Sequence, residues 1–203
     1  MIQNVIFDMG NVLLDYDPMR LIRRYTADAG EIAAINGALF ASKEWALLDE
    51  GLITDGEMIE TAVARLPERL HEMTREMFAV WPTLYLPIPE TERLVRQLRA
   101  NGYPCYLLSN ASLRWYSYEA DFPVFSLLCG RIISASFRTV KPKPAIYRAL
   151  FDTFSLIPAE CFFIDDLAAN VAGGRALGMD GFVLDQRQYG ELTRTLCEKG
   201  VRL

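Results

Sequence analysis

Short apolar runs rich in β-branched and aromatic residues recur at positions 5–7, 104–108, 131–134, 161–164 and 181–184. Runs of this length, bounded by turn-forming residues, predict buried strands. Between and after them the apolar positions return at helical spacing, over residues 90–100 (Leu94, Val95, Leu98, with Gly102 as a stop), 145–154, 170–177 (stopped by Gly178) and 191–199. Strands that alternate with helices predict an α/β fold: a doubly wound, Rossmann-like parallel sheet.

One region breaks the alternation. From about residue 18 to 81 there is no strand pattern, only helical ones such as MRLIRRYTADAG, EIAAINGALFAS and DGEMIETAVARLPERL. The expected organisation is an α/β core of residues 1–15 and 86–203, with an all-helical cap of residues 16–85 inserted after the first strand. Pro82, Pro87 and Pro89 mark the return, since a helix cannot run through them, and a hinge is expected near Leu86.

Composition narrows the chemistry. With 203 residues, 51% of them hydrophobic, the chain can bury a sizeable core. A net charge of −5 without a basic run argues against a nucleic-acid footprint, so any phosphate would have to be handled by a local cation. Cys105, Cys129, Cys161 and Cys197 have no CxxC spacing, and two lie in strand-like runs, which suits a reducing cytoplasm. No apolar run approaches the roughly 18 residues of a membrane span, and MIQNVIF reads as a strand rather than a leader, so neither export nor membrane insertion is expected.

In open parallel sheets ligands bind beyond the carboxyl ends of the strands. The residues found there are Asp8, then Ser109 and Asn110, then Lys141 seven positions after Ser134, then Asp165 and Asp166. This set suits phosphoryl transfer. A phosphate monoester repels an attacking carboxylate unless cations intervene. Mg²⁺ on hard oxygens from Asp8 and Asp166, with the Lys141 ammonium, would supply them, while Ser109 would hydrogen-bond a phosphoryl oxygen. Taken singly, each residue also has an ordinary reading: Asp8 as a turn residue, Asp165 or Asp166 as a helix cap, Lys141 as an exposed lysine.

The segments VIFDMGNVL, YLLSN, VKPKPAIY and FFIDDLAANVAGGRALGM, in this order and spacing, resemble the haloacid dehalogenase (HAD) superfamily of hydrolases, in its helical-cap branch. The DxGNV form of the first segment is similar to small bacterial phosphatases acting on glucose 1-phosphate. The resemblance implies a Mg²⁺-dependent phosphatase of small phosphorylated metabolites, sugar phosphates among them, acting through an aspartyl-phosphate. In that scheme Asp8 is the nucleophile, Ser109 and Lys141 hold the phosphate, and Asn110 contacts substrate or shapes the turn. Asp8, the Gly10 carbonyl, Asp165 and Asp166 hold the metal, and Asn170 makes a hydrogen bond behind it. Trp45, with Asp49 and Glu50, is a candidate for the cap's substrate face, with packing and surface roles as the equal alternative, and Trp115 and Tyr116 are candidates for stacking on a sugar or sealing the interface. A monomer or weak homodimer is expected.

Two positions depart from the family pattern. Where most of its phosphatases have an aspartate that serves as general acid and base, this chain has Gly10. The carbonyl can still bind metal, but proton transfer, commonly a factor of about 10² to 10⁴ in rate, must come from Asp15, Asp17, a cap residue or solvent. Without a dedicated acid, acidic leaving groups such as anomeric phosphates should be favoured. Arg138 stands where relatives commonly have glycine, and altering a turn is the favoured reading over adding charge near the phosphate. The superfamily's dehalogenases also lack the second aspartate, so a carbon–halide hydrolase is the alternative, as is a binding protein of the same fold with impaired catalysis. The Asp165–Asp166 pair weighs against the dehalogenase, which needs no Mg²⁺. His71, the single histidine, is expected to be solvated.

Overall fold

The computed structural model describes residues 1–185 and 187–203. Its sheet has five parallel strands, β1 (Asn4–Phe7), β4 (Cys105–Ser109), β5 (Gly130–Ile133), β6 (Cys161–Asp165) and β7 (Asp180–Val183), in the order β5-β4-β1-β6-β7. The chain steps outward from β1 to β4 and β5, then returns to lay β6 on the other side of β1. This reversal puts the carboxyl ends of β4, β1 and β6 side by side. Register fixes the detail, because Phe7 pairs with Leu107 on one side and Ile164 on the other.

Side chains alternate across the pleat and so fill two cores. Val5, Phe7, Cys105 and Leu107 join the larger cluster, with Leu94, Val95 and Leu98 of α6 (Pro89–Ala100) and Leu192 and Leu196 of α11 (Tyr189–Glu198). Ile6, Leu108, Ile132 and Phe163 face the other way, against Ile146, Tyr147 and Leu150 of α9 (Pro144–Phe154). The strand runs carry apolar residues on both faces because both faces are covered. Burial pushes the Cys105 and Cys161 thiols up to about 12, which makes them inert packing groups.

The segment between β1 and α6 is helical, as expected: α1 (Pro18–Ile22), α2 (Ala29–Ala38), α3 (Lys43–Asp49), α4 (Asp55–Val63) and α5 (His71–Val80). Ser42 and Thr54 cap α3 and α4, the latter through a reciprocal capping box with Glu57. One feature was not foreseen. The two crossings into this segment pair with each other as a short antiparallel ribbon, β2 (Leu14–Asp15) with β3 (Leu86–Pro87). Two-residue strands carry too little pattern to be read from sequence. His71 is also not free in solvent, since its Nε2 lies 2.9 Å from the Leu66 carbonyl. At the predicted strand 131–134 the ladder stops at Ile133, and Ser134 opens the short helix α8 (Ser134–Phe137). No helix among the described residues is long and apolar enough to cross a membrane.

Candidate active site

Asp8 leaves the end of β1 with its backbone N–H bonded to the Ile164 carbonyl at 2.9 Å, which fixes it beside β6. Ser109 closes β4, and Asp165 closes β6 with Asp166 next to it. Lys141 arrives on the loop after α8 and points its ammonium between two carboxylates, 2.6 Å from Asp8 Oδ1 and 2.7 Å from Asp165 Oδ2. It also donates to the Leu108 carbonyl at 2.9 Å. Asp8, Lys141 and Asp165 are all buried.

The carboxylates differ in how much of their capacity is already used. Both Asp165 oxygens accept from Nδ2 of Asn170, on α10 (Ala168–Arg175), at 3.0 and 3.1 Å, while Oδ1 also takes the Leu167 N–H at 2.8 Å and Oδ2 the Lys141 ammonium. Asn170 is in turn steadied by Tyr147, whose hydroxyl donates to the Asn170 carbonyl at 2.7 Å. Asp166 carries one side-chain bond, from Asn11 Nδ2 at 3.0 Å. Asn11 has a left-handed backbone, φ 56°, a conformation asparagine tolerates better than most residues, and this turns its amide toward Asp166.

Burial raises the Asp8 pKa to about 7. The Lys141 charge and hydrogen bond pull it down, but Asp165 and Asp166 add repulsion. The Asp166 carboxyl is raised as well, chiefly by burial. Burial works against the Lys141 charge, yet the two facing carboxylates outweigh it and keep the ammonium protonated. Oxygens from Asp8, Asp165 and Asp166 lie within 4.8 Å of one another, so one divalent cation can be reached by all three. Hard oxygens in that cluster, two of them on carboxyls whose pKa values are raised, fit a Mg²⁺-type ion. Asp165 is the most engaged of the three, accepting from Asn170, Leu167 and Lys141, while its oxygens stay within reach of the same cation.

A cavity of about 360 Å³ opens above these groups and is lined by Asp8, Gly10, Asn11, Ser109, Asn110, Lys141, Asp166 and Asn170 from the sheet side. Tyr16, Phe40, Trp45, Asp49, Trp81 and Tyr85 close the other side. The aromatic residues pack on one another, with ring centroids 4.8 Å apart for Phe40 and Trp45 and 5.2 Å for Trp45 and Trp81. Gly10 borders the cavity, and a Cβ there would make only an ordinary van der Waals contact, with the Tyr16 Cβ at 3.9 Å.

The sequence matches the haloacid dehalogenase-like hydrolases over residues 2–178. The chain belongs to that family. It is 27% identical over 185 residues to the sesquiterpene phosphatase astK of Aspergillus oryzae, with 88% of each chain covered. It is 24% identical over 189 residues to the bifunctional riboflavin kinase/FMN phosphatase of Arabidopsis thaliana, covering 86% of this chain but only 46% of that one. A mutant HAD family enzyme from Bacteroides thetaiotaomicron, in complex with magnesium and inorganic phosphate, shares the fold at a TM-score of 0.69 and 22% identity, over 90% of this chain and 94% of that one.

Within this HAD framework several expected roles move. Asp15 and Asp17 do not reach the cavity as acid–base candidates. Asp15 is paired with Arg20 at 2.9 Å and Arg187 at 3.3 Å and faces a neighbouring hollow, while Asp17 caps α1 by accepting the Met19 N–H. Asn110 takes the turn-shaping role, its amide bonded to the Lys141 backbone at the cavity wall. Arg138 sits at φ 51°, ψ 39°, as the left-handed residue ending α8, and lines a different hollow with Asp55 and Leu113, so the turn reading is the one realised. Trp115, which opens the short helix α7 (Trp115–Tyr118), is fully buried and packs against Phe125. Tyr116 is exposed and its hydroxyl meets Ser136 Oγ at 3.0 Å, so neither lines the cavity. Asn11 was the residue sequence reasoning missed; its signal was an asparagine directly after a turn glycine, a position suited to positive φ.

Proposed function

We propose that this HAD hydrolase is a Mg²⁺-dependent phosphatase of small phosphorylated metabolites, acting through an aspartyl-phosphate on Asp8. One observation carries the reading: Lys141 is clamped between Asp8 and Asp165 at 2.6 and 2.7 Å, with Asp166 close by. A fixed ammonium beside a nucleophilic carboxylate offsets the charge of a dianionic ester, and the added carboxylate of Asp166 suits a metal that displacement of halide from carbon does not need. The phosphatases among the relatives support the same reaction class.

Asp8, Asp166 and the Gly10 carbonyl would hold Mg²⁺, with Asp165 behind Lys141. Bound there, the ion would screen nucleophile and phosphate from each other. Ser109 would donate to a phosphoryl oxygen, and Lys141 would neutralise the charge that develops on it. Core residues 1–15 and 86–203 would carry these groups. The 16–85 segment would cover the substrate and exclude water, with the β2–β3 ribbon as the place where it flexes.

For the substrate we propose sugar phosphates, whose C–H faces can lie on Trp45. The continuous aromatic wall favours a second reading, a monophosphate with an apolar or planar body. A turnover panel with Mg²⁺ would include sugar 1-phosphates, sugar 6-phosphates, a prenyl monophosphate and FMN, and each arm would be repeated with chelator and with Asp8→Asn. A phosphatase loses activity in both repeats. A carbon–halide hydrolase releases halide despite chelator, and a binding protein turns over nothing in any arm.

A further inference from the structure

The missing acid at Gly10 leaves a gap in the chemistry, and the cavity contains few groups able to fill it. Its ionisable side chains among the described residues are Asp8, Tyr16, Asp49, Tyr85, Lys141 and Asp166. Asp8 is the proposed nucleophile and Asp166 a proposed metal ligand. Lys141 is held as a cation between two carboxylates. Tyr16 and Tyr85 have hydroxyls pushed far above their ordinary range by burial, and so are poor proton donors at neutral pH. Asp49 remains.

Its placement is not accidental. Asp49 ends α3, and its backbone carbonyl accepts from Ser134 Oγ at 2.5 Å. The same Ser134 Oγ accepts the Ala111 N–H at 2.9 Å, so one buried hydroxyl ties Asp49 to the loop that follows Ser109 and Asn110. Glu50 pairs with Lys143, two residues after Lys141. Gly51, at φ 71°, lies so close to the Ala135 carbonyl that a Cβ would collide with it. Three consecutive residues of the helical segment are therefore fastened to the phosphate-binding side of the sheet. We infer that Asp49 is the general acid and base of this enzyme, delivering from the helical segment the proton that Gly10 cannot.

The assignment rests on the phosphatase reading. In the first half-reaction an Asp8 oxygen bonds to phosphorus and the ester P–O bond breaks. Its electron pair stays on the leaving oxygen, which takes the Asp49 proton. In the second half, the Asp49 carboxylate takes a proton from water as that oxygen attacks phosphorus. The Asp8–phosphorus bond breaks, its electrons return to the carboxylate, and phosphate leaves. The environment supports the first state: burial raises the Asp49 pKa well above its usual range, the Ser112 N–H offsets part of this, and the Asp8 charge adds to it. Of the titratable groups around it, Asp8 lies on the sheet side, and Tyr16, Tyr85 and Tyr118 feel its charge from the aromatic side.

The test is leaving-group dependence, with thermal unfolding to show that each variant is folded. Asp49→Asn, assayed with Mg²⁺, should lower kcat on an alkyl phosphate such as glycerol phosphate by about 10² to 10⁴. On p-nitrophenyl phosphate, whose leaving group needs no proton, the first half-reaction should be nearly unaffected, read as the burst of nitrophenolate. Adding Gly10→Asp to the Asp49→Asn variant should restore alkyl turnover, because a Cβ at Gly10 makes no clash and Gly10 lines the cavity. Equal loss of the alkyl reaction and the nitrophenolate burst, or no loss on the alkyl ester, would overturn the assignment while leaving the phosphatase reading in place. No wild-type turnover on any ester would remove both.

Discussion

Asn110 and Lys141 grip each other twice: Asn110 Oδ1 accepts the Lys141 N–H at 2.8 Å, and Asn110 Nδ2 donates to the Lys141 carbonyl at 3.1 Å. The amide works as a template for the loop that delivers the ammonium. Asn110→Ala should therefore raise KM for phosphate esters and lower kcat/KM by about ten- to a hundredfold, as loss of a positioning partner does at comparable sites. It should also cost about 1–3 kcal/mol of stability, because both Lys141 backbone groups lose a partner. Steady-state kinetics beside denaturant unfolding would check both.

Asp8→Asn should abolish turnover and, in chelator at pH 8, raise the melting temperature. At that pH the wild-type Asp8 carboxylate is ionised in a buried site, and the amide removes the cost of burying that charge while still accepting from Lys141. A lower melting temperature at pH 8 would show that the Lys141 pair outweighs the cost of burying the charge.

Stability without metal should fall between pH 5 and pH 8. Asp8 has a folded-state pKa of about 7 against 3.8 unfolded, so its contribution is complete below the unfolded value and is lost as pH rises through 7. Asp49 and Asp166 are raised too and act in the same direction. Lys141, also raised, stays charged throughout this window. Mg²⁺ should restore more stability at pH 8 than at pH 5, where protons compete for its ligands. Melting curves at both pH values, with Mg²⁺ and with chelator, measure this directly.

Ser134→Ala should destabilise the protein by about 1–3 kcal/mol, since the buried Ala111 N–H and Asp49 carbonyl both lose their partner. Its effect on alkyl phosphates should exceed its effect on the p-nitrophenyl phosphate burst, because Asp49 loses its anchor. Both substrates, assayed beside equilibrium unfolding, separate the two consequences.

Arg138→Gly should stabilise by about 1 kcal/mol or less. At φ 51° a side chain carries a steric cost that glycine lacks, partly offset by the greater freedom of glycine in the unfolded chain. Equilibrium unfolding would register the gain, and turnover should not change, since Arg138 lies outside the cavity that holds Asp8.

The five strands and the four helices that flank them were legible because burial on both faces writes an unmistakable apolar run. Asp8, Ser109, Lys141 and the Asp165–Asp166 pair were legible because each follows such a run. What could not be read was the division of labour among carboxylates. Whether Asp165 or Asp166 is free depends on Asn170, Leu167 and Asn11, whose hydrogen bonds are set by turn geometry rather than by periodicity. Asp15, Asp17 and Asp49 look alike in sequence. Only the ribbon pairing, the α1 cap and the Ser134 anchor send the first two away from the cavity and the third into it.

The central strand of the sheet is also the first to be made. Val5 must wait for Cys105 and Phe162 before either of its edges is paired, with the whole helical segment synthesised in between. Until then VIF is an apolar strand with two open edges, the kind of segment that seeks partners in other chains. The protein should accordingly refold slowly for its size, lose yield as its concentration rises during refolding, and gain most from a chaperone that shields β1.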